Sequence, residues 1–151
     1  MMRPLLLLLL WLLPFGALAN DELVTTQSAH SGPVTVQRIQ EALTAKGWTI
    51  LATIDHAAQA AQFGVRIPFR TTIAFAYMPA WTRLLIENPT VAIEVPIPVL
   101  VWEDRDGVWV TRNTAQYYLR RILPRHEAKG LPGPTEYFSN VIDAIIVDVT
   151  R

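Results

Sequence analysis

The stretch VLVWEDRDGVWVT, residues 99–111, constrains the fold more than any other part of the chain. Two runs rich in β-branched and aromatic residues flank a turn-forming segment with two Asp and one Gly, residues 104–107. Such a pattern indicates a β-hairpin. If residues 104–107 form the loop, Trp102 faces Trp109 across the two strands. The chain is therefore expected to contain an antiparallel sheet.

Helical patterns alternate with further strand patterns along the rest of the chain. Ile39 and Leu43 recur at helical spacing before Lys46-Gly47, and the segment from about 135 to 150 is the most periodic. Other strands are predicted over residues 23–26, 48–54, 72–77 and 91–103, and other helices over residues 57–63, 79–86 and 114–121. These elements together predict an α+β fold, a two-layer sandwich with helices packed on one face of a mainly antiparallel sheet.

Two prolines restrict how the long β-like run can pair. Pro96 and Pro98 lie two positions apart, so their missing N–H groups fall on the same side of a strand. That part of the run is expected to lie at an edge or to pair on one side only.

The N-terminus has the pattern of a secretory signal peptide. Arg3 precedes an apolar run from Leu5 to Leu13, and Ala17-Leu18-Ala19 offers a small-x-small cleavage site. The run is shorter than the roughly 20 apolar residues that span a bilayer. We therefore expect residues 1–19 to be removed and residues 20–151 to form one exported domain, in the periplasm or outside the cell, without a membrane span.

The composition agrees with an exported protein that is held together by its core. The chain has no Cys, so no disulfide contributes, and a domain of this size buries roughly two-thirds of its unfolded surface. Without Arg3, 12 basic residues stand against 13 acidic ones. That net charge gives no support for a nucleic-acid partner or for binding to an anionic membrane.

Asp55-His56 is the first candidate for chemistry, because it lies between a predicted strand and a predicted helix. Asp is a preferred N-cap residue, and the cap is the interpretation that the sequence favours. In the alternative, Asp55 orients or activates His56 as a general base, with Glu103 as a third member. Adjacent strand residues point to opposite faces, so a direct contact between Asp55 and His56 does not follow from the sequence.

Aromatic residues are the second candidate. An apolar binding pocket could be lined by Tyr77, Trp81, Trp102 and Trp109. Core and cross-strand packing is the more usual role of such side chains.

Other kinds of site have little support. His30, His56 and His126 are far apart and none has His-x-x-x-His spacing, so no metal site is predicted. Nucleophile-elbow, phosphate-loop and dinucleotide motifs are missing from the sequence, and no cofactor is predicted.

Two long segments resemble the domain-of-unknown-function 302 (DUF302) family: VQRIQEALTAKGWTILATIDHAAQAAQFG and VAIEVPIPVLVWEDRDGVWVTRN. Family-like features are the strand ending in Ile54-Asp55-His56, and Pro96 followed by Leu100-Val101-Trp102-Glu103. The resemblance covers a core of about residues 23–121. It implies an α+β fold with an antiparallel sheet packed by helices, and a homodimer. It implies no established activity.

Two functions of different class follow. The first is a non-catalytic small-molecule-binding or protein-interaction module, exported and homodimeric. The alternative is an enzyme that uses Asp55 and His56, with Glu103, as acid and base groups. Convergence of His56 and Glu103 on one cleft would favour the enzyme, whereas an aromatic cleft without them would favour binding.

Overall fold

The computed structural model describes residues 22–128 and 135–151, which contain a five-stranded antiparallel sheet and several helices. The strands are β1 (Leu23–Ser28), β2 (Thr49–Asp55), β3 (Arg70–Ala76), β4 (Ile97–Asp104) and β5 (Gly107–Asn113). Their order across the sheet is β1-β5-β4-β3-β2. The predicted α+β fold is confirmed, while the predicted signal segment, residues 1–19, lies outside the described residues.

The α-helices are α1 (Gly32–Ala45), α2 (His56–Ala61), α3 (Met78–Glu87), α4 (Ala115–Tyr117), α5 (Leu123–Arg125) and α6 (Thr135–Val149). A 3₁₀ helix, Pro89–Glu94, lies between α3 and β4, and a π-helical turn, Tyr118–Ile122, joins α4 to α5. The residues at the ends of α1 explain where this helix begins and ends. Pro33 lies in the first turn of α1, and Gly47, with φ +78°, follows its last residues in the left-handed region.

Helices α1 and α6 cover one face of the sheet. Strand side chains on this covered face are almost completely buried, among them Ile73, Phe75, Val99, Val101 and Val110. They form one core with Ile39 and Leu43 of α1 and with Ile145, Ile146 and Val149 of α6. Burial of this apolar surface is the main term that holds the two layers together.

The alternate strand residues point away from α1 and α6 and form an open face. One row crosses all five strands through Thr25, Thr111, Leu100, Thr72 and Ile54. A second row, one pleat nearer the hairpin, runs through Gln27, Trp109, Trp102 and Arg70. This face therefore combines apolar, aromatic and hydroxyl groups.

Strand direction gives the sheet two ends. At the hairpin end, β4 and β5 are joined, β2 finishes at Asp55 and β3 begins at Arg70. At the helical end, β3 leads into α3, β4 follows the 3₁₀ helix and β5 leads into α4.

The long β-like run of residues 91–103 is only partly a strand, so that prediction was wrong at its start. Asn88-Pro89 begins the 3₁₀ helix, with buried Val91, because Pro suits a first helical turn. The proline prediction is confirmed: Pro98 pairs with Ala74 of β3, and the ladder to β5 begins one residue later.

Candidate functional site

Asp55 is the N-cap of α2. Its backbone is extended, and its Oδ1 accepts a hydrogen bond from the N–H of Ala58 at 2.9 Å. His56 turns to the open face, where its Nε2 lies 2.8 Å from the Thr72 hydroxyl. In the part of the chain that the structure describes, no hydrogen bond joins Asp55 to His56. Asp55 therefore acts as the cap of α2, which is the interpretation that the sequence favours.

Glu103 performs a similar task for α1. It follows Val101 on the covered face, and its Oε1 accepts a hydrogen bond from the N–H of Gly32 at 3.0 Å. A Cβ on Gly32 would lie 2.5 Å from the Phe69 ring and 2.8 Å from Glu103 Oε1, so the close approach requires glycine. The carboxylate is stabilised by the partial positive charge of the helix start.

His56 and Glu103 therefore serve opposite faces of the sheet. His56 bonds to Thr72 on the open face, and Glu103 bonds to α1 on the covered face. The two side chains do not converge on one cleft. Their convergence is the arrangement that would have favoured the enzyme hypothesis.

Trp102 and Trp109 face each other across the hairpin, in the predicted register. Their ring centroids are 6.1 Å apart and the rings are inclined by 29°. Trp102 Nε1 donates to the Thr111 hydroxyl at 2.8 Å, and Trp109 Nε1 donates to Asp104 Oδ1 at 2.9 Å. These two bonds fix the orientation of both indoles on the open face.

Asp104 links the aromatic pair to the turn. Besides the indole N–H of Trp109, its Oδ1 accepts the backbone N–H groups of Asp106 and Gly107. The hydrogen bond from Trp109, followed by that from Asp106, holds the pKa of the Asp104 carboxyl below its ordinary value.

Tyr77 and Trp81 lie at the helical end and do not join the other two aromatic residues. The Tyr77 ring packs 5.6 Å from that of Trp48, and Trp81 is 6% exposed in the core. Because Trp102 pairs with the first residue of β3 and Tyr77 follows its last, roughly 20 Å of strand separates the two sets. The four aromatic residues therefore do not line one pocket, and only Trp102 and Trp109 belong to the open face.

A polar cluster at the helical end was missed by the sequence reasoning. His126 Nδ1 lies 3.0 Å from the Thr90 hydroxyl, and His126 Nε2 lies 3.1 Å from Glu94 Oε1. Arg125 Nη1 lies 3.3 Å from the same carboxylate oxygen. We call these four residues the Glu94 cluster.

The Glu94 cluster is arranged like a proton-transfer chain. Its histidine side chain is 6% exposed, whereas Thr90 lies at the surface. Because a carboxylate only accepts hydrogen bonds, Nε2 is the donor to Glu94, and Nδ1 is the ring nitrogen that faces the Thr90 hydroxyl. The residues are 32 and 36 positions apart, so no local spacing in the sequence indicates the cluster.

Two buried groups lie on the covered side of the helical end. Burial raises the pKa of the Tyr118 phenol and lowers the pKa of the Arg112 guanidinium. Arg112 forms an ion pair with Asp143 of α6, which ties β5 to that helix. These groups reinforce the packing of the two layers.

The described residues meet neither the requirements of a metal site nor those of a membrane-spanning helix. Within residues 22–128 and 135–151, no three His, Cys, Asp or Glu side chains come together as they would around a metal ion. The same residues include no helix with the length and apolar character to cross a membrane.

Part of this chain is similar in sequence to known proteins. A protein named fluoride-specific ion channel FluC 1, from Brucella suis biovar 1, is 30% identical over 109 residues, which are 72% of this chain and 43% of the relative. FluC 1 of Brucella abortus biovar 1 has the same identity over 109 residues, 40% of its length. The chain thus spans about two-fifths of the curated relatives that it matches.

A solved structure and a family profile agree on the fold. The crystal structure of an uncharacterized conserved DUF302 protein from Bacillus stearothermophilus has a TM-score of 0.69 at 15% identity, covering 85% of this chain and 98% of that one. The profile of the domain of unknown function DUF302 matches residues 24–145, so it extends past the expected core into α6. Because this match covers most of the chain, from β1 into α6, the chain belongs to the DUF302 family.

Proposed function

We propose that the protein is an exported, non-catalytic binding module whose ligand or partner contacts the open face of the sheet. The observation that carries this proposal is the Trp102–Trp109 pair. Two neighbouring indoles are held at 6.1 Å by hydrogen bonds from their own N–H groups, so their ring surfaces are left for contact. Rigid aromatic surface of this kind binds with little loss of side-chain freedom.

The neighbours of the aromatic pair supply polar contacts. Exposed Arg70 and Gln27 flank the pair in its row, and the Thr111 and Thr72 hydroxyls follow in the next row. Aromatic side chains with a few placed polar groups are typical of ligand sites. The face therefore suits a flat, partly polar partner surface or small molecule.

The proposal favours binding over the catalytic use of Asp55, His56 and Glu103. Asp55 and Glu103 each accept a hydrogen bond at a helix start, and His56 lies on the opposite face from Glu103. Groups that are engaged in this way are poorly placed to share a substrate.

Export and self-association are parts of the same proposal. The N-terminal pattern supports cleavage after Ala19, and the open face is a candidate surface for a second copy of the chain. Fluoride transport is not included, because the similarity leaves more than half of each Brucella channel unmatched.

Native mass spectrometry of the protein purified from its own host tests the proposal. We expect a chain that starts at Asn20 and carries a bound molecule or a second subunit. Trp102→Leu should remove that added mass, whereas Ile86→Ser, at the helical end, should not. A bare monomer, or an added mass that both variants retain, would contradict binding at the open face.

The Glu94 cluster favours one second candidate, nucleophilic catalysis. An exposed hydroxyl, a buried histidine and a carboxylate are hydrogen-bonded in series over 3.0 and 3.1 Å, which is the order that activates a nucleophile. A fluorophosphonate probe tests it by peptide mass spectrometry. Catalysis predicts labelling of Thr90 that His126→Asn abolishes and Thr90→Ser retains, and an unlabelled wild-type protein would exclude this use of the cluster.

A further inference from the structure

The loop between α2 and β3, residues 62–69, exposes two large apolar side chains. Phe63 is 85% exposed and Val65 is 52% exposed. Burial in an apolar medium would stabilise both side chains. We call this segment the Phe63 loop.

The backbone presents these side chains in a defined way. Gly64 has φ +74°, and the N–H groups of Phe63 and Val65 both bond to the carbonyl of Ala60, at 3.0 and 3.1 Å. A Cβ added to Gly64 would meet nothing within 4 Å, so the tip of the loop faces open space. The loop is thus an ordered, convex projection and not a groove.

Positively charged side chains accompany the apolar tip of the loop. Arg66 and Arg70 are exposed, and among the described residues neither guanidinium has an ion pair. No Asp or Glu occurs between Asp55 and Glu87, and the carboxylates of Asp55, Glu103 and Asp104 at this end of the sheet accept hydrogen bonds at a helix start or a turn. The loop itself is therefore apolar and cationic.

We propose that the Phe63 loop docks the protein on the surface of an anionic lipid bilayer. Phe63 and Val65 enter the headgroup region, and Arg66 and Arg70 remain among the lipid phosphates. Interfacial anchors combine these two contributions, because apolar burial alone gives weak attachment and cations add attraction to anionic lipid. A convex tip suits a deformable lipid surface, which needs no complementary pocket.

The helical end provides a matched control. Ile86 is 77% exposed, which is close to the exposure of Phe63, but it precedes Glu87 and lies at the other end of the sheet. If exposed apolar area were sufficient, Ile86 would bind lipid as well as Phe63 does.

Sedimentation of the mature chain with vesicles tests the proposal. We expect binding to phosphatidylcholine vesicles that contain phosphatidylglycerol, weaker binding to phosphatidylcholine alone, and a decrease with added salt. Phe63→Ser should reduce binding about tenfold and Arg66→Gln about fivefold, in line with the apolar and electrostatic contributions. Ile86→Ser should leave binding unchanged.

Several results would overturn it. The first two are no binding to anionic vesicles and equal binding to both vesicle types. The others are a Phe63→Ser variant that binds vesicles as well as wild type does, and an Ile86→Ser variant that binds as weakly as Phe63→Ser. Equal melting temperatures of the variants verify that each is folded. Trp102→Leu should retain vesicle binding, because Phe63, Val65 and Arg66 belong to the loop and not to the sheet.

Discussion

At the hairpin end of the sheet, Asp55, Glu103 and Asp104 all accept hydrogen bonds from backbone N–H groups at a helix start or a turn. At the helical end, Glu94 instead binds the side chains of His126 and Arg125. The comparison separates carboxylates that accept backbone N–H groups, locally in Asp55 and Asp104 and across 71 positions in Glu103, from one that binds side chains.

The aromatic residues of the two ends differ in burial. Trp81 at the helical end is buried, whereas Trp102 at the hairpin end retains exposed surface. Trp81→Ala should destabilise the protein by about 3–5 kcal/mol, because it empties a core position. Trp102→Ala should cost less, since part of that ring is already in water. Urea unfolding measures both, and equal losses would mean that the open face is as well packed as the core.

Two histidines sharpen the comparison next. His126→Ala should cost about 1–3 kcal/mol, because it leaves the half-buried Glu94 carboxylate without one of its partners. His56→Ala should cost less than about 1 kcal/mol, since it removes one hydrogen bond to Thr72 from a first helical turn that tolerates Ala. Thermal and urea unfolding compare the two. If His56→Ala were the more destabilising variant, the contact between His56 and Thr72 would contribute more than the contact between His126 and Glu94.

Variants of Asp55 test whether its carboxylate stabilises α2 through hydrogen bonding or through charge. Asp55→Ala should cost about 0.5–2 kcal/mol, whereas Asp55→Asn should stay near wild type, because Asn caps about as well. The loss of attraction to the helix dipole adds only a few tenths of a kcal/mol. If Asn were as destabilising as Ala in urea unfolding, a role for the charge of Asp55 would replace the cap.

The smallest effect concerns the Asp104 carboxyl. Trp109→Phe removes the indole donor and should raise the Asp104 pKa toward its ordinary value of 3.8. Carbon-detected NMR titration of the carboxyl measures it, with Trp102→Phe as the control, since Trp102 bonds to Thr111 instead. A pKa that is unchanged in Trp109→Phe would show that the backbone donors suffice.

The sign of the pH effect follows from the lowered pKa of Asp104. A carboxyl whose pKa is lower in the folded state stabilises the fold above its ordinary value, and this stabilisation disappears as the pH falls through the folded pKa. The stability difference between wild type and Asp104→Asn should therefore be present at pH 7 and decrease as the pH falls below the ordinary value of 3.8. A constant difference would exclude this linkage.

Local chemistry made much of the hairpin end predictable. Asp and Gly between two β-rich runs determined the register of Trp102 with Trp109, and a preferred cap residue between strand and helix indicated the role of Asp55. Each inference needs only residues that are close in sequence.

The helical end depends on contacts that sequence spacing does not reveal. Residues 91–94 are rich in β-forming side chains but form part of a 3₁₀ helix, because tertiary packing around Val91 overrides propensity. From the sequence alone, Tyr77 and Trp81 group with the hairpin tryptophans, because their position at the far end of β3 is known only once that strand is placed in the sheet. Glu94 and His126 meet only after α5 folds against the 3₁₀ helix.

The place of β1 in the sheet has a consequence for how quickly the chain can fold. Leu23 pairs with Asn113 and Ser28 with Val108, so each contact closes a loop of 80–90 residues. Ala29 then bonds to Thr150, beyond the end of α6. Long loops are slow to close and delay the contacts that depend on them. β1 leaves the ribosome before the other four strands, and until β5 is synthesised it remains an unpaired strand that a chaperone or another chain can bind.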